Sequence, residues 1–407
     1  MSDRSPTENL PALPERFSLS PEFRLLAACS WVAPASQEQV QSERIISLCG
    51  EKIDWDKFID LVDRHRVPAL TYIALRRHAD RRLPGDIKEK LKERSDQARK
   101  QSLRYAAELI RLIKIFAANG VEVIPLKGSI LSQRLFGDTG MRQLKDIDLL
   151  VRPKDLDRVD RLLELEGYRC TFPGFELTAN QKEYFKTGIH HYEYVHNERG
   201  LNLEIHWRSL LWTPEQAAEL WNCCQPTEWM GVHVNCLDDD ALLLYLCDHG
   251  AGHKWFRIKW LSDIVMIFSQ DRADGWENLL VMSDRLGLRR TLAQTVLLVH
   301  WLYGIPLPQR LCELIVEDKS TVVLGIIAIE ALVMDGAGHA RAGRRLGSLS
   351  RAWYLIRLKP SLPYGMIIKG LLICPPDFRI ISLPASLFWL YLPLRPPLWF
   401  WRNYLKK

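Results

Sequence analysis

The sequence predicts an α+β protein in which a small mixed β-sheet core is flanked by helical N- and C-terminal regions. Apolar residues recur at helical spacing before residue 119 and again after residue 237, and short strand-like segments with turn signals lie between them. The length of 407 residues also exceeds that of one ordinary compact domain. We therefore divide the chain into a partly disordered N-terminus, a helical N-terminal region, a mixed-sheet core, a helical C-terminal region and an aromatic, basic tail: residues 1–20, 21–118, 119–236, 237–345 and 346–407.

The composition is that of a globular protein, with 47% hydrophobic and 26% charged residues. The net charge of +6 suits a polyanionic ligand but is too small to indicate nucleic acid by itself. The nine cysteines contain no C-x-x-C pair, which argues against a zinc ribbon, and their odd number argues against a secreted disulfide scaffold. Residues 1–16 lack the basic start and apolar core of a secretory signal, so we expect a cytoplasmic protein.

The helical N-terminal region contains two clear segments. Residues 54–75 carry apolar side chains at helical spacing, and Pro68 is expected to end or kink that helix. Residues 84–119 predict one long helix, because the periodicity continues until Asn119-Gly120 supplies a stop signal. Helical segments return after the core, at residues 242–247, 260–268 and 292–302.

The core alternates short strands and helices. A turn at residues 197–200 joins the last two predicted strands. This alternation is typical of a sheet packed against helices. The predicted order is strand, helix, strand, helix, strand, strand, over residues 121–126, 130–136, 147–151, 153–166, 192–195 and 201–207.

Asp146 and Asp148 stand at the start of the second predicted strand. Strand side chains alternate between faces, so both carboxylates point to the same side. Neighbouring carboxylates repel each other unless a cation neutralises them, and Mg²⁺ prefers oxygen ligands. Replacing Asp148 by Asn is therefore expected to leave the stability of the metal-free protein unchanged or higher. The alternative is a pair of solvated aspartates, since an Asp-x-Asp pattern is not specific on its own.

Gly128 and Ser129 separate the first predicted strand from the helix that follows. A helix N-terminus presents unpaired N–H groups and a positive dipole end, which attract phosphate. Gly128 would let the backbone approach the ligand, and Ser129 could add a hydroxyl donor. A valine at position 128 is then expected to block the phosphate without disturbing the fold. The alternative is an ordinary turn with Ser129 as the helix N-cap.

The last predicted strand of the core places Glu204 and His206 on its polar face. Glu204 could be the third carboxylate of a metal site, or it could lie on the exposed face of an antiparallel strand. His206 shares that face, so it could orient Glu204 or contact a substrate.

Together these features resemble the nucleotidyltransferase superfamily that includes DNA polymerase beta and kanamycin nucleotidyltransferase. Its pattern is a strand, Gly-Ser, a helix, an Asp-x-Asp strand and a third acid on a later strand. More closely, the chain resembles a bacterial family of uncharacterised nucleotidyltransferases over about residues 47–268. The residues that carry this resemblance are Pro125-Leu126-Lys127-Gly128, Arg142, and residues 146–151, 204–207, 248–250 and 260–263.

Two departures from the superfamily pattern affect the expected site. The third acid is Glu204, where many members have Asp, so the metal geometry can differ. The spacer between Ser129 and Asp146 is also somewhat long, which leaves room for an altered loop.

The resemblance implies transfer of a nucleoside monophosphate from an NTP to an acceptor hydroxyl or phosphate, with release of pyrophosphate. Asp146 and Asp148 would hold a Mg²⁺ or Mn²⁺ ion on the triphosphate, and Asp146 and Glu204 a second ion beside the attacking group. The nucleotide-binding residues would be Lys127, Gly128, Ser129 and Arg142, although a solvated basic face is an alternative for the two cations.

The acceptor is not identified by the sequence: a sugar, an antibiotic, a small metabolite, a protein hydroxyl or an RNA end all remain open. Lys254 could contact the triphosphate or the acceptor, or belong to a solvated basic face. His249 and His253 have a zinc-binding spacing but lack the accompanying glutamate, so no metal role is predicted for them. His190, His191 and His196 are interpreted as scattered surface or partly buried histidines.

The tail contains residues 380–394, a stretch of 15 without a charge. A membrane-spanning helix needs about 20 apolar residues, and Pro384 and Pro393 interrupt this one. Aromatic residues beside basic ones suit a membrane interface, so the tail predicts either peripheral contact with the inner membrane or a cap on the helical C-terminal region. Two alternative functions follow: a catalytically degenerate nucleotide-binding module, and a membrane-associated accessory protein of a biosynthetic system.

Overall fold

The computed structural model describes residues 10–209, 212–272, 275–334, 347–361 and 375–405. The first nine residues of the predicted disordered N-terminus lie outside these ranges. Residues 10–20 instead pack against the helices: Leu10 is buried, and the Trp301 indole donates a hydrogen bond to the Pro11 carbonyl at 2.6 Å. The described part of the N-terminus therefore differs from the expected disorder.

The helical N-terminal region forms five α-helices. Pro68 is the first residue of the fourth, where its missing N–H is harmless, so it begins a helix rather than kinking one. The long segment predicted after residue 84 is a single helix of 34 residues. The five helices are α1 (Pro21–Cys29), α2 (Glu38–Cys49), α3 (Trp55–His65), α4 (Pro68–Ala79) and α5 (Gly85–Ala118).

The core contains all six predicted elements and five further ones. Of the unpredicted strands, β3 has only four residues and β6 carries polar, exposed side chains that obscure its alternation, whereas β7 alternates buried apolar residues with His233 and Asn235, a pattern that the sequence itself shows. The elements are β1 (Val123–Pro125), α6 (Ser129–Phe136), β2 (Ile147–Val151), α7 (Leu156–Leu165), β3 (Arg169–Phe172), α8 (Ala179–Gly188), β4 (His191–His196), β5 (Leu201–His206), α9 (Pro214–Leu220), β6 (Cys224–Trp229) and β7 (Val232–Leu237).

Five strands form one mixed sheet in the order β1-β2-β5-β4-β3. Strands β2 and β5 are parallel, and the other neighbouring pairs are antiparallel. Strands β6 and β7 form a separate two-stranded ribbon. The sheet and the surrounding helices confirm the predicted α+β class with a small mixed-sheet core.

After the core, the described chain is helical. The elements are α10 (Asp239–Gly252), α11 (Ile258–Phe268), α12 (Glu277–Arg285), α13 (Arg289–Tyr303), α14 (Gln309–Glu317), α15 (Ser320–Val333), α16 (Gly347–Leu358), α17 (Pro375–Ile380) and α18 (Tyr391–Phe400).

The two helical regions, although separated by the sheet core in sequence, share one hydrophobic core. Polar contacts reinforce this packing: the Ser30 and Tyr303 hydroxyls lie 3.1 Å apart, and Arg44 donates to the carbonyls of Leu302 and Tyr303, each at 2.8 Å. A second hydrophobic core surrounds the sheet. Helix α5 belongs to both cores, through its N-terminal and C-terminal halves respectively.

The tail has two parts: α16 packs on the helical C-terminal region, as the expected cap would, and residues 375–405 pack against the sheet core. Phe378, Phe388, Tyr391 and Leu398 are buried in the hydrophobic core around the sheet. Its outer side exposes the large side chains of Trp389, Trp399, Phe400, Trp401 and Tyr404. Within the described ranges, no helix combines the length and the apolar character that crossing a membrane requires.

Candidate active site

Two acids of the predicted site lie side by side on neighbouring strands. The parallel register of β2 and β5 pairs Asp148 directly with Glu204. Asp148 is only 2% exposed, whereas Glu204 is half-buried at the edge of the site. Asp146 precedes β2 and is also half-buried, and its charge acts on both Glu204 and Lys127. The fold therefore brings Asp148 and Glu204 together, with Asp146 near enough for its charge to act on the site but outside the group of side chains at mutual ligand distance.

Lys127 supplies a positive charge to this cluster. Its Nζ lies 3.0 Å from Asp148 Oδ1 and 3.3 Å from His249 Nε2. Burial opposes the charged ammonium, but the carboxylates of Asp148 and Asp146 outweigh it and raise the pKa of Lys127. A buried lysine is tolerated only when paired, so Lys127 and Asp148 depend on each other.

His206 bridges the two strand acids. Its Nε2 lies 3.2 Å from Asp148 Oδ1 and 3.1 Å from Glu204 Oε2. Burial disfavours the imidazolium, but the hydrogen bonds to Asp148 and Glu204 raise the pKa of His206 to about 9. Burial also disfavours ionised Glu204, yet the same bond and the neighbouring positive charges lower its pKa to about 2. A protonated imidazole thus holds both carboxylates in place.

The donor set around these acids fits a divalent cation. One ligand atom from each of Asp148, Glu204 and His206 lies within 4.8 Å of the others. Asp148 Oδ2 is buried and has no hydrogen-bond partner among the described residues. Carboxylate oxygens are the donors that Mg²⁺ and Mn²⁺ prefer, so Asp148 and Glu204 would hold the ion, and the protonated imidazole of His206 would not. A bound cation would replace the contacts that Lys127 and His206 make with these carboxylates.

The turn between β1 and α6 depends on Gly128. It is the helix N-cap with φ 89° and ψ −136°, and Ser129 is the first helical residue rather than the N-cap. A Cβ at position 128 would meet nothing closer than Leu144 Cδ1 at 3.9 Å, so the backbone conformation, not lack of space, requires glycine. The Ser129 hydroxyl is buried without a hydrogen-bond partner in the described chain, which leaves it available to a ligand.

Arg142, predicted to bind the nucleotide, connects the core to the helical C-terminal region. Its Nε lies 3.0 and 3.1 Å from the two carboxylate oxygens of Asp263 on α11, and both side chains are buried. Its backbone carbonyl accepts a hydrogen bond from Ser102, and its N–H donates to Ser132. Its Nη2 has no hydrogen-bond partner within the described ranges. Arg142 therefore fixes the loop before Asp146 and keeps one donor free.

Lys254 does not join the carboxylates. It adopts a left-handed conformation with φ 53°, and its ammonium lies 5.6 Å from the centre of the Tyr354 ring. Burial and the charge of Arg351 lower its pKa. These two neighbours lie on α16, at the start of the tail, and the substrate contact of Lys254 stays a prediction.

The interpretation of the histidines as scattered is wrong for His190 and His191. Strand pairing places His191 opposite His206, with ring centroids 5.2 Å apart, and the His190 ring lies 5.9 Å from that of His206. The turn at residues 197–200 pairs His196 with Leu201 at the ends of the two strands. Counting outward from that pair along both strands places His191 opposite His206, so the sequence could have revealed this contact. His196 itself lies elsewhere, at the edge of the Tyr168 ring.

Comparison with known proteins identifies the family. A family model described as "Uncharacterised nucleotidyltransferase" matches residues 51–304. No curated protein and no solved structure matches the chain. The match covers more than half of the 407 residues and includes all three acids and the Gly128 turn. The chain therefore belongs to the uncharacterised nucleotidyltransferase family.

Proposed function

We propose that this protein transfers a nucleoside monophosphate from an NTP to a hydroxyl or phosphate group of an acceptor, with release of pyrophosphate. The observation that carries this proposal is the parallel pairing that sets Asp148 beside Glu204, close to Asp146. Membership of a nucleotidyltransferase family supports the same reaction class.

The proposed reaction depends on Mg²⁺ or Mn²⁺. Asp146 and Asp148 would hold the cation on the triphosphate, and Asp146 and Glu204 one beside the attacking group. Bound divalent cations would neutralise the phosphate oxygens during an in-line displacement. The unpartnered Oδ2 of buried Asp148 supports this assignment, because it is a donor atom that no described residue satisfies.

The protein's own groups would then position the nucleotide. Lys127, once its carboxylate partner binds a cation, has a free ammonium for a phosphate oxygen. The first N–H groups of α6 and the buried hydroxyl of Ser129 offer further donors. His206, which bridges Asp148 and Glu204 in the metal-free protein, would give up these contacts when the carboxylates bind a cation. Such phosphoryl chemistry relies mainly on positioning and charge neutralisation.

The test uses the full chain and all four NTPs labelled at the α-phosphate. Each is incubated with Mg²⁺ and acceptor pools from a cell extract, and both pyrophosphate and labelled products are measured. We expect labelled acceptor and pyrophosphate in equal amounts with wild-type protein, and both to form about 10²–10³-fold more slowly with Asp148→Asn. Label transfer at an unchanged rate in the variant would contradict the proposed site.

A second candidate is a nucleotide-binding module without turnover. It is favoured by the contacts of Asp148 with Lys127 at 3.0 Å and with His206 at 3.2 Å, because these two cations already neutralise the acids. Such a module would bind NTP equally well with and without a divalent cation. That behaviour distinguishes it from the enzyme.

For the tail, we propose contact with the surface of a membrane by an otherwise cytoplasmic protein. Its inner side is buried on the sheet core, while Trp389, Trp399 and Trp401 are exposed on its outer side. Indole rings favour the headgroup region of a bilayer. The half-buried Arg395 adds a positive charge suited to anionic lipids.

A further inference from the structure

Four basic residues from three parts of the chain converge beside Asp146: Arg66, Arg142, Arg257 and Lys259. Hydrogen bonds between side chains and backbone groups join the segments that carry them. Arg257 donates to the Arg64 carbonyl at 2.6 Å, and the Ile258 N–H donates to His65 Nδ1 at 3.0 Å, which joins the α3–α4 corner to the start of α11. Lys259 Nζ approaches the Gln143 carbonyl at 3.5 Å, which joins α11 to the core loop. We call Arg66, Arg257 and Lys259 the basic cluster.

The basic cluster has too little negative charge around it. Asp263 is paired with Arg142 and its charge also acts on Lys259, while Asp146 acts on Arg66, Arg257 and Lys259, so the charge of these two acids is shared among four basic side chains. Lys259 is only 7% exposed, and burial together with the charge of Arg142 lowers its pKa, so its ammonium form is disfavoured unless an anion lies beside it. Buried like charges destabilise a fold unless an anion compensates them.

The proposed function increases this imbalance. If Asp146 binds a cation, its charge no longer offsets the three basic side chains. An anion that reaches the cluster would restore the balance. Phosphate fits well, because guanidinium groups donate paired hydrogen bonds to its oxygens and an ammonium adds a point charge. The buried and unpartnered Nη2 of neighbouring Arg142 is a further donor.

We propose that the basic cluster binds a phosphate group of the acceptor, so that the acceptor is a phosphorylated molecule. This inference rests on the proposed function. The acceptor is favoured over the nucleotide because Lys127 and the Gly128–Ser129 turn lie beside Asp148, where they serve the triphosphate. The basic cluster lies beside Asp146 and is built by the two helical regions, which flank the sheet core.

The test is calorimetric titration of the full chain with inorganic phosphate in the presence of Mg²⁺ and saturating α,β-methylene-ATP, which cannot react. Phosphate should bind together with this analogue. Lys259→Met and Arg66→Asn should each weaken phosphate binding about tenfold or more, as expected for the loss of a hydrogen bond to a charged group, without weakening the analogue. Methionine fills the buried volume of Lys259, and asparagine tolerates the left-handed backbone of Arg66, which has φ 58°.

Lys154→Met, at an exposed lysine outside the basic cluster, is the matched control and should bind phosphate like the wild type. If Lys259→Met lowers the melting temperature, the charge-conserving Lys259→Arg should fold and retain phosphate binding. Phosphate that displaces the analogue would assign the cluster to the nucleotide and overturn the inference. Absence of phosphate binding, or unchanged binding in both variants, would overturn it too. Failure of the proposed function would appear differently, as analogue binding that does not need Mg²⁺.

Discussion

Glu204 and His206 stand two residues apart on the same face of β5, with Oε2 and Nε2 separated by 3.1 Å. Against the effect of burial, this contact together with Lys127 lowers the pKa of Glu204 to about 2, and together with Asp148 it raises the pKa of His206 to about 9. Both groups therefore stay charged across the neutral range, and their pair lies against Asp148. This arrangement leads to a direct prediction about pH.

In EDTA, the free energy of unfolding should decrease as the pH rises from 6.5 towards 9. The pKa of His206 is raised from 6.5 to about 9 in the folded protein, so its contribution is complete below pH 6.5 and is lost as the pH passes 9. Because the folded state binds at most one additional proton at His206, the free energy of unfolding changes by at most about 1.4 kcal/mol per pH unit. Urea unfolding at several pH values measures it.

His206→Gln should remove most of this decrease. His233→Gln, at an exposed histidine on β7, is the control and should retain it. An unchanged slope in His206→Gln would show that another group is responsible.

Asp148→Asn should lower both turnover and stability. Loss of one electrostatic element of a catalytic site commonly reduces the rate by about 10²–10³. The variant also leaves Lys127 buried without its partner, and breaking a buried ion pair costs about 3–5 kcal/mol. Pyrophosphate release with Mg²⁺-NTP and urea unfolding without metal measure the two effects.

The structure thus reverses the expectation of unchanged or higher stability for Asp148→Asn, because Asp148 is paired with Lys127 rather than simply repelled by Asp146. Asp155→Asn, in the segment before α7, should change neither quantity appreciably. A stable Asp148→Asn protein with normal turnover would remove Asp148 from the site.

Nucleotide binding should require a divalent cation. Asp146, Asp148 and Glu204 would otherwise repel the triphosphate, and Lys127 would remain bound to Asp148. Calorimetry of ATP and GTP should show binding with Mg²⁺ and little or none with EDTA. Equal affinities under both conditions would favour the nucleotide-binding module over the enzyme.

Gly128→Ala should destabilise the protein by about 1–3 kcal/mol, because a non-glycine residue is strained in this backbone conformation. Valine at position 128 would be strained in the same way. A Gly128→Val variant therefore cannot separate blocked phosphate binding from a disturbed fold, contrary to the expectation from the sequence. Gly85→Ala, at a position with ordinary φ and open space, should leave stability unchanged or higher. Thermal unfolding of the two variants makes the comparison, and a fully stable Gly128→Ala would contradict the strain.

Residues 375–405 of the tail should bind lipid vesicles through their exposed indoles. We expect the wild-type protein to float with vesicles that contain anionic lipids, and the double variant Trp399→Ser, Trp401→Ser to stay unbound. Trp353→Ser, which removes an indole of similar exposure on α16, should float normally. If the double variant floats like the wild type, the exposed aromatic side of the tail does not mediate contact.

The sequence predicted local features well because periodicity and turn signals are local. Helix α5, strand β2 and the acids Asp148 and Glu204 followed from such signals. Contacts between distant segments carry no comparable signal, so the Arg142–Asp263 pair and the convergence of Arg66 with Lys259 required the fold. Strand β6 was missed because Pro226 and exposed polar residues obscure its alternation.

Helix α5 has a mechanical consequence. Its 34 residues span about 51 Å at the rise of an ideal α-helix, and no glycine or proline follows its first residue. Ile87 and Leu91 anchor one end among the other helices, while Leu109 and Phe116 anchor the opposite end behind the sheet. A continuous helix provides no hinge between the core of the helical regions and the core around the sheet. They should therefore move together and unfold in a single cooperative transition.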